Sequence, residues 1–111
     1  MNTISTHVLD TTKGRPAQGV PVLLESGAGK SWKEAAKGKT DADGRVPGFL
    51  PEGAKLAAGV YRLTFDTAAY FKASGVKGFY PVVKIVFEVG GGHYHVPLLL
   101  SPFGYSTYRG S

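Results

Sequence analysis

His93-Tyr94-His95-Val96-Pro97-Leu98-Leu99-Leu100-Ser101 decides the fold. A β-strand sends successive side chains to opposite faces. Tyr94, Val96, Leu98 and Leu100 then share one face, which reads as core, while His93, His95, Pro97 and Leu99 share the other. A second stretch, Thr3 to Leu9, divides the same way. Ile4, Thr6 and Val8 lie on one side, and Ser5, His7 and Leu9 on the other. All three histidines of the chain therefore fall opposite the predicted core, by one physical rule applied to two separate strands.

The rest of the chain repeats this texture. Val20 to Ser26, Ser31 to Lys37, Val46 to Leu50, Gly59 to Asp66, Pro81 to Val89 and Tyr105 to Tyr108 are further strand candidates. Ser31 to Lys37 is the more polar of these, and Val46 to Leu50 is a short edge strand limited by Pro47. Thr12 to Pro16 and Thr40 to Gly44 carry turn chemistry. Gly90-Gly91-Gly92 predicts a hairpin connection between two strong strands. Thr67 to Ser74 predicts one or two helical turns, capped by Thr67 or Asp66 and stopped by Gly75. Short strands with frequent turns predict an all-β sandwich or barrel.

Composition narrows the function classes. The 111 residues are 42% hydrophobic and 19% charged, which predicts one folded domain over residues 1–111. A chain this short gains from a partner subunit. With no cysteine there is no disulfide scaffold, thiolate zinc site or cysteine nucleophile. No apolar run approaches the roughly 20 residues of a membrane span, and Met1 to Asp10 has no basic stretch ahead of an apolar block. The expectation is a cytoplasmic protein without a membrane role. The net charge of +5 comes from Lys and Arg spread singly, which predicts mild attraction of anions and no nucleic-acid surface.

The histidine face also carries Leu9, Pro97 and Leu99, so it suits a subunit interface or a binding pocket as well as plain solvated surface. Three imidazoles can hold zinc, but no carboxylate sits nearby in sequence to orient them. Metal-free acid–base chemistry is the simpler expectation, since imidazole titrates in the right range. No Gly-x-Ser-x-Gly elbow appears, so Ser111 is expected to hydrogen-bond water or substrate instead of attacking it. Arg45 and Arg109 have planar cationic forks suited to oxygen-rich ligands, or are solvated loop residues. Tyr105 and Tyr108 can stack on a planar ligand, or pack.

Specific residues then point to a family. Ile4-Ser5-Thr6-His7-Val8-Leu9-Asp10 with Gly14-Arg15-Pro16-Ala17 resembles the N-terminal signature of transthyretin-like proteins. His93 to Pro102 and Tyr105 to Ser111 resemble the C-terminal signature, and Asp43-Gly44-Arg45 and Tyr61 to Asp66 fit between them. The closing Tyr108-Arg109-Gly110-Ser111 resembles the 5-hydroxyisourate hydrolase branch of the transthyretin superfamily. The resemblance implies an eight-stranded antiparallel β-sandwich with one short helix. It also implies a homotetramer, a dimer of dimers with sites at the dimer–dimer interface.

The activity it implies is hydrolytic opening of 5-hydroxyisourate to 2-oxo-4-hydroxy-4-carboxy-5-ureidoimidazoline, in urate degradation, without a cofactor or metal. By the same resemblance, His7, His95, Arg45 and Ser111 are the catalytic positions. His7, Arg45, Tyr108, Arg109, Gly110 and His93 are the substrate-binding ones, His93 in a supporting role. A non-catalytic carrier of small hydrophobic ligands on the same fold is the alternative, and imidazole and guanidinium groups in the channel argue against it.

Overall fold

The computed structural model describes residues 3–50, 53, 54 and 56–110. Eight strands and one helix follow in the order β1 (Thr3–Asp10), β2 (Arg15–Pro16), β3 (Pro21–Ala28), β4 (Ser31–Lys39), β5 (Gly59–Phe65), α1 (Thr67–Ala73), β6 (Val83–Val89), β7 (His93–Ser101) and β8 (Gly104–Thr107). They form two four-stranded sheets, ordered β2-β1-β7-β8 and β4-β3-β5-β6. The inward faces bury one apolar cluster. Val8, Leu98 and Leu100 come from the first sheet, and Leu24, Leu63 and Phe65 from the second. Fully burying a side chain of this size contributes about 1.5–3 kcal/mol.

Strand parity holds through β1 and, in β7, everywhere but at Pro97, which is buried although it falls on the histidine face. Ile4, Thr6 and Val8 of β1 and Tyr94, Val96, Leu98 and Leu100 of β7 are buried, as the alternation predicts. The sandwich class holds too, with one pairing that alternation cannot reveal: β1 and β7 run parallel, with Thr3 opposite His93, Ser5 opposite His95 and His7 opposite Pro97.

Three local expectations change. Val46 to Leu50 forms no strand. Pro47 removes a donor, Phe49 turns into the core, and pairing stops just before the segment, at the isolated bridge of Arg45 to His7. Arg15–Pro16, read as turn, makes a two-residue strand against Leu9 and Asp10. Gly90-Gly91-Gly92 is not a hairpin, because β6 and β7 belong to different sheets. It crosses from one sheet to the other, held by Gly90 and Gly91 N–H groups that donate to the Tyr94 hydroxyl at 2.8 and 3.0 Å.

The helix is capped as predicted, by the Asp66 carboxylate accepting from Ala69 N–H at 3.0 Å. It buries Thr67, Tyr70 and Phe71, one face at helical spacing. Tyr70 reaches the last inward residue of β1 and donates to Asp10 Oδ2 at 2.6 Å, while Asp10 Oδ1 accepts from Thr12 and Lys13 N–H at 3.1 and 3.0 Å. A buried carboxylate is tolerable only with such partners. Burial first, and then the Asp10 hydrogen bond and charge, push the Tyr70 hydroxyl up to about 12. The helix is thereby fixed to the end of the strand that carries His7.

Candidate active site

The parallel register brings β1 and β7 side chains together on the outward face of the first sheet. His7 and His95 have ring centroids 6.5 Å apart with planes inclined by 37°. Both are half-buried. At that separation two imidazoles can address one water molecule or one small planar ligand. Among the described residues no group of three His, Cys, Asp or Glu is arranged to hold a metal ion.

Arg45 reaches this face through a turn built by Asp41. The Asp41 Oδ1 accepts from Asp43 and Arg45 N–H at 2.9 and 3.1 Å, and the backbones of Asp41 and Arg45 bond at 2.7 Å. Side-chain capping of its own turn is what Asp favours. The turn is tied to β1 by Val8 N–H donating to the Gly44 carbonyl at 2.8 Å. A side chain at position 44 would collide with the Val8 carbonyl, and φ there is +77°, so glycine is required for this approach. The Asp43 carbonyl accepts from His7 Nε2–H at 2.7 Å. A carbonyl only accepts, so neutral His7 carries its proton on Nε2 and keeps a lone pair on Nδ1.

His95 is held on two sides. Its Nδ1 lies 2.8 Å from Ser5 Oγ, and its backbone carbonyl accepts from Gly110 N–H at 2.7 Å. Burial lowers its pKa below the ordinary histidine value, and the positive charge of Arg45, then His7 and His93, adds to the effect. His95 is therefore neutral at pH 7, the state a general base needs.

The structure thus gathers His7, His95, Arg45 and Gly110. His93 lies on the same face, exposed, at the start of β7. Tyr108 and Arg109 lead elsewhere. The Arg109 guanidinium sits 4.5 Å over the ring of Tyr94, a core-face residue. Tyr108 and Arg109 line a cleft of about 250 Å³ with Ile85, Phe87, Tyr94 and Val96, between the β6 and β8 sides of the sandwich. Ser111 lies outside the described residues. Sequence reasoning assigned no role to Ser5 or Asp41. Parity had put Ser5 on the histidine face, and the Thr40–Gly44 turn signal contained Asp41, but neither signal shows a contact.

Gly110 makes a testable point. A Cβ there would stand 2.6 Å from His95 Cδ2. Gly110→Ala should displace the His95 ring and lower kcat/KM by up to about a hundredfold, the scale of a roughly 1 Å misplacement. The thermal midpoint should change little. Unchanged kinetics of Gly110→Ala would show that the ring position is not set from this side.

Comparisons with known proteins identify the family and the fold. The profile of the HIUase/Transthyretin family matches residues 4–110. The chain is 46% identical over 112 residues to a Salmonella typhimurium protein named 5-hydroxyisourate hydrolase, covering 99% of this chain and 82% of that one. The solved structure of Klebsiella pneumoniae 5-hydroxyisourate hydrolase superposes with a TM-score of 0.88 at 41% identity, covering 100% of both chains. Sea bream transthyretin, solved in complex with thyroxine, gives a TM-score of 0.88 at 36% identity over 96% of this chain and 92% of its own. Alternating strands, a paired-histidine face and a match across nearly every residue converge: the chain belongs to the HIUase/Transthyretin family.

Proposed function

We infer that this chain is a 5-hydroxyisourate hydrolase, an enzyme that opens a cyclic amide with water. The observation that carries the reading is the pair His7 and His95, 6.5 Å apart on one face beside Arg45. Hydrolysis needs an activated water, a partner for the developing oxyanion and a proton for the leaving nitrogen. Neutral His95 takes a proton from water while His7 positions that water, and Ser111 assists by hydrogen bond. The Arg45 guanidinium grips the oxygens of the planar substrate and meets the charge on the attacked carbonyl. Gly110 and His93 bind around the ring, whereas Tyr108, in the separate cleft it shares with Arg109, lies away from it. Arg109, stacked on Tyr94, anchors the closing segment that brings Gly110 to His95. No cofactor enters, because the substrate amide is itself activated.

The reading includes a homotetramer, a dimer of dimers with the histidine face at the dimer–dimer interface. Two features support self-association. Half-buried Leu9 and Leu99 share the face with the histidines. Exposed aromatics also cluster, with Phe79 at 68% exposure stacked edge-on against Tyr80, and Tyr80 against Tyr105. Isolated exposed apolar residues need no explanation, but contiguous patches mark interfaces. Sedimentation should give about four times the 11.7 kDa chain mass.

The direct test follows the ultraviolet band of freshly oxidised urate with and without the protein. Accelerated decay is expected, with the acid limb of kcat/KM falling below pH 6.5 because His95 stays neutral to lower pH than an ordinary histidine. Decay at the uncatalysed rate would leave the carrier reading, for which thyroxine-like ligands are the probe.

A further inference from the structure

We propose that Ser5 is a positioning residue that also relays a proton, passing the one taken up at His95 to the exposed imidazole of His93. The inference rests on the reading of His95 as the base. It starts from an unbroken row of contacts along the parallel β1–β7 pair. Thr3 Oγ1 lies 2.6 Å from His93 Nδ1, His93 Nε2 lies 3.2 Å from Ser5 Oγ, and Ser5 Oγ lies 2.8 Å from His95 Nδ1. Hydroxyls of β1 and imidazoles of β7 alternate because same-face residues of a parallel pair interleave.

One hydroxyl proton cannot serve two ring nitrogens at once, so the row has two self-consistent settings. In the first, His95 Nδ1–H donates to Ser5, Ser5 donates to His93 Nε2, and His93 Nδ1–H donates to Thr3. His95 Nε2 then holds the free lone pair that meets water. When that nitrogen takes a proton, the Nδ1 proton moves to Ser5 Oγ and the Ser5 proton moves to His93 Nε2. His95 ends neutral, Ser5 ends as a hydroxyl and His93 ends as the cation.

The chemistry requires such an exit. Water adds its oxygen to the amide carbon, the carbon–nitrogen bond breaks, and the leaving nitrogen takes one proton. The acid formed is ionised at neutral pH, so one proton per turnover must leave. Charge on His95 is opposed by burial and by Arg45, His7 and His93. Within the protomer His93 is exposed at the start of β7, the least desolvated end of the row, so charge is opposed less there than on half-buried His95.

Three measurements test this. His93→Ala should lower kcat about tenfold or more in dilute non-imidazole buffer, and added imidazole should restore it saturably. Ser5→Ala should lower kcat similarly, whereas Ser5→Thr, which keeps a hydroxyl on a strand, should retain most of it. Nitrogen-15 spectra should show His95 protonated at Nδ1 in the wild type and shifted to the ordinary Nε2–H form in Ser5→Ala. That signature needs no turnover. Should His93→Ala run at the wild-type rate in every buffer while His95→Ala is inactive, the relay is wrong and the base assignment survives. An unchanged His95 tautomer in Ser5→Ala would remove the positioning role as well. If Ser5→Ala fails to fold, the His93→Ala buffer dependence decides alone.

Discussion

His95→Ala lowers hydrolysis of 5-hydroxyisourate by about a hundred- to ten-thousandfold and leaves the sandwich folded. The size is that of removing a general base. The selectivity follows from strand geometry. β7 is held to β1 by its backbone ladder and to the core by Tyr94, Val96, Leu98 and Leu100, and the His95 ring points the other way. Turnover from the ultraviolet decay and a thermal melt on the same preparation check both halves. Wild-type turnover in the variant would remove His95 from the mechanism.

The same ring leaves a stability signature. Its folded pKa lies below the unfolded value, so the unfolded chain binds the proton more readily. Stability therefore falls as pH drops through the ordinary histidine range and levels off below the lowered folded pKa. His95→Ala should flatten that part of the curve.

Arg45→Ala is expected to cost about a hundred- to a thousandfold in kcat, the scale of one lost oxyanion partner. The turn should persist, because Asp41 builds it through the backbone N–H groups of Asp43 and Arg45 and needs no guanidinium. Removing the cation also relieves one of the effects that depress His95, so its pKa should rise toward the ordinary value. The acid limb of the rate profile should move to higher pH with it. Arg45→Lys restores charge without the planar fork, and should recover the His95 titration better than the rate. Full activity in Arg45→Ala, or a His95 titration that does not move, would place the guanidinium away from the reacting atoms.

Much of this site was legible in alternation alone. Period two assigned every buried residue of the first strand up to Val8, and it set His7, His93 and His95 on the face away from the core. It could not tell that β1 and β7 are neighbours, because alternation carries no pairing information. The Gly90-Gly91-Gly92 expectation failed for the same reason: glycines announce a change of direction and not which sheet receives the next strand. Val46 to Leu50 looked like a strand because Val, Phe and Leu are good strand residues, but Pro47 and the inward turn of Phe49 prevail. Gly110 entered through family resemblance alone, and Arg45, open between ligand grip and solvated loop on its chemistry, was placed in the site by the same resemblance, since a lone arginine or glycine has no periodicity to betray it. The Asp10–Tyr70 bond joins residues 60 positions apart, and nothing local marks it.

Ser5 and His95 touch although 90 positions separate them along the chain. Contacts so distant carry a large loop-closure cost and form slowly. During biosynthesis the opening strand leaves the ribosome long before its partner exists. Its edge toward β7 must wait, unpaired, until nearly the whole polypeptide has emerged. Catalytic competence is then one of the last properties a nascent molecule acquires, and a prematurely terminated product lacking β7 would retain none of it.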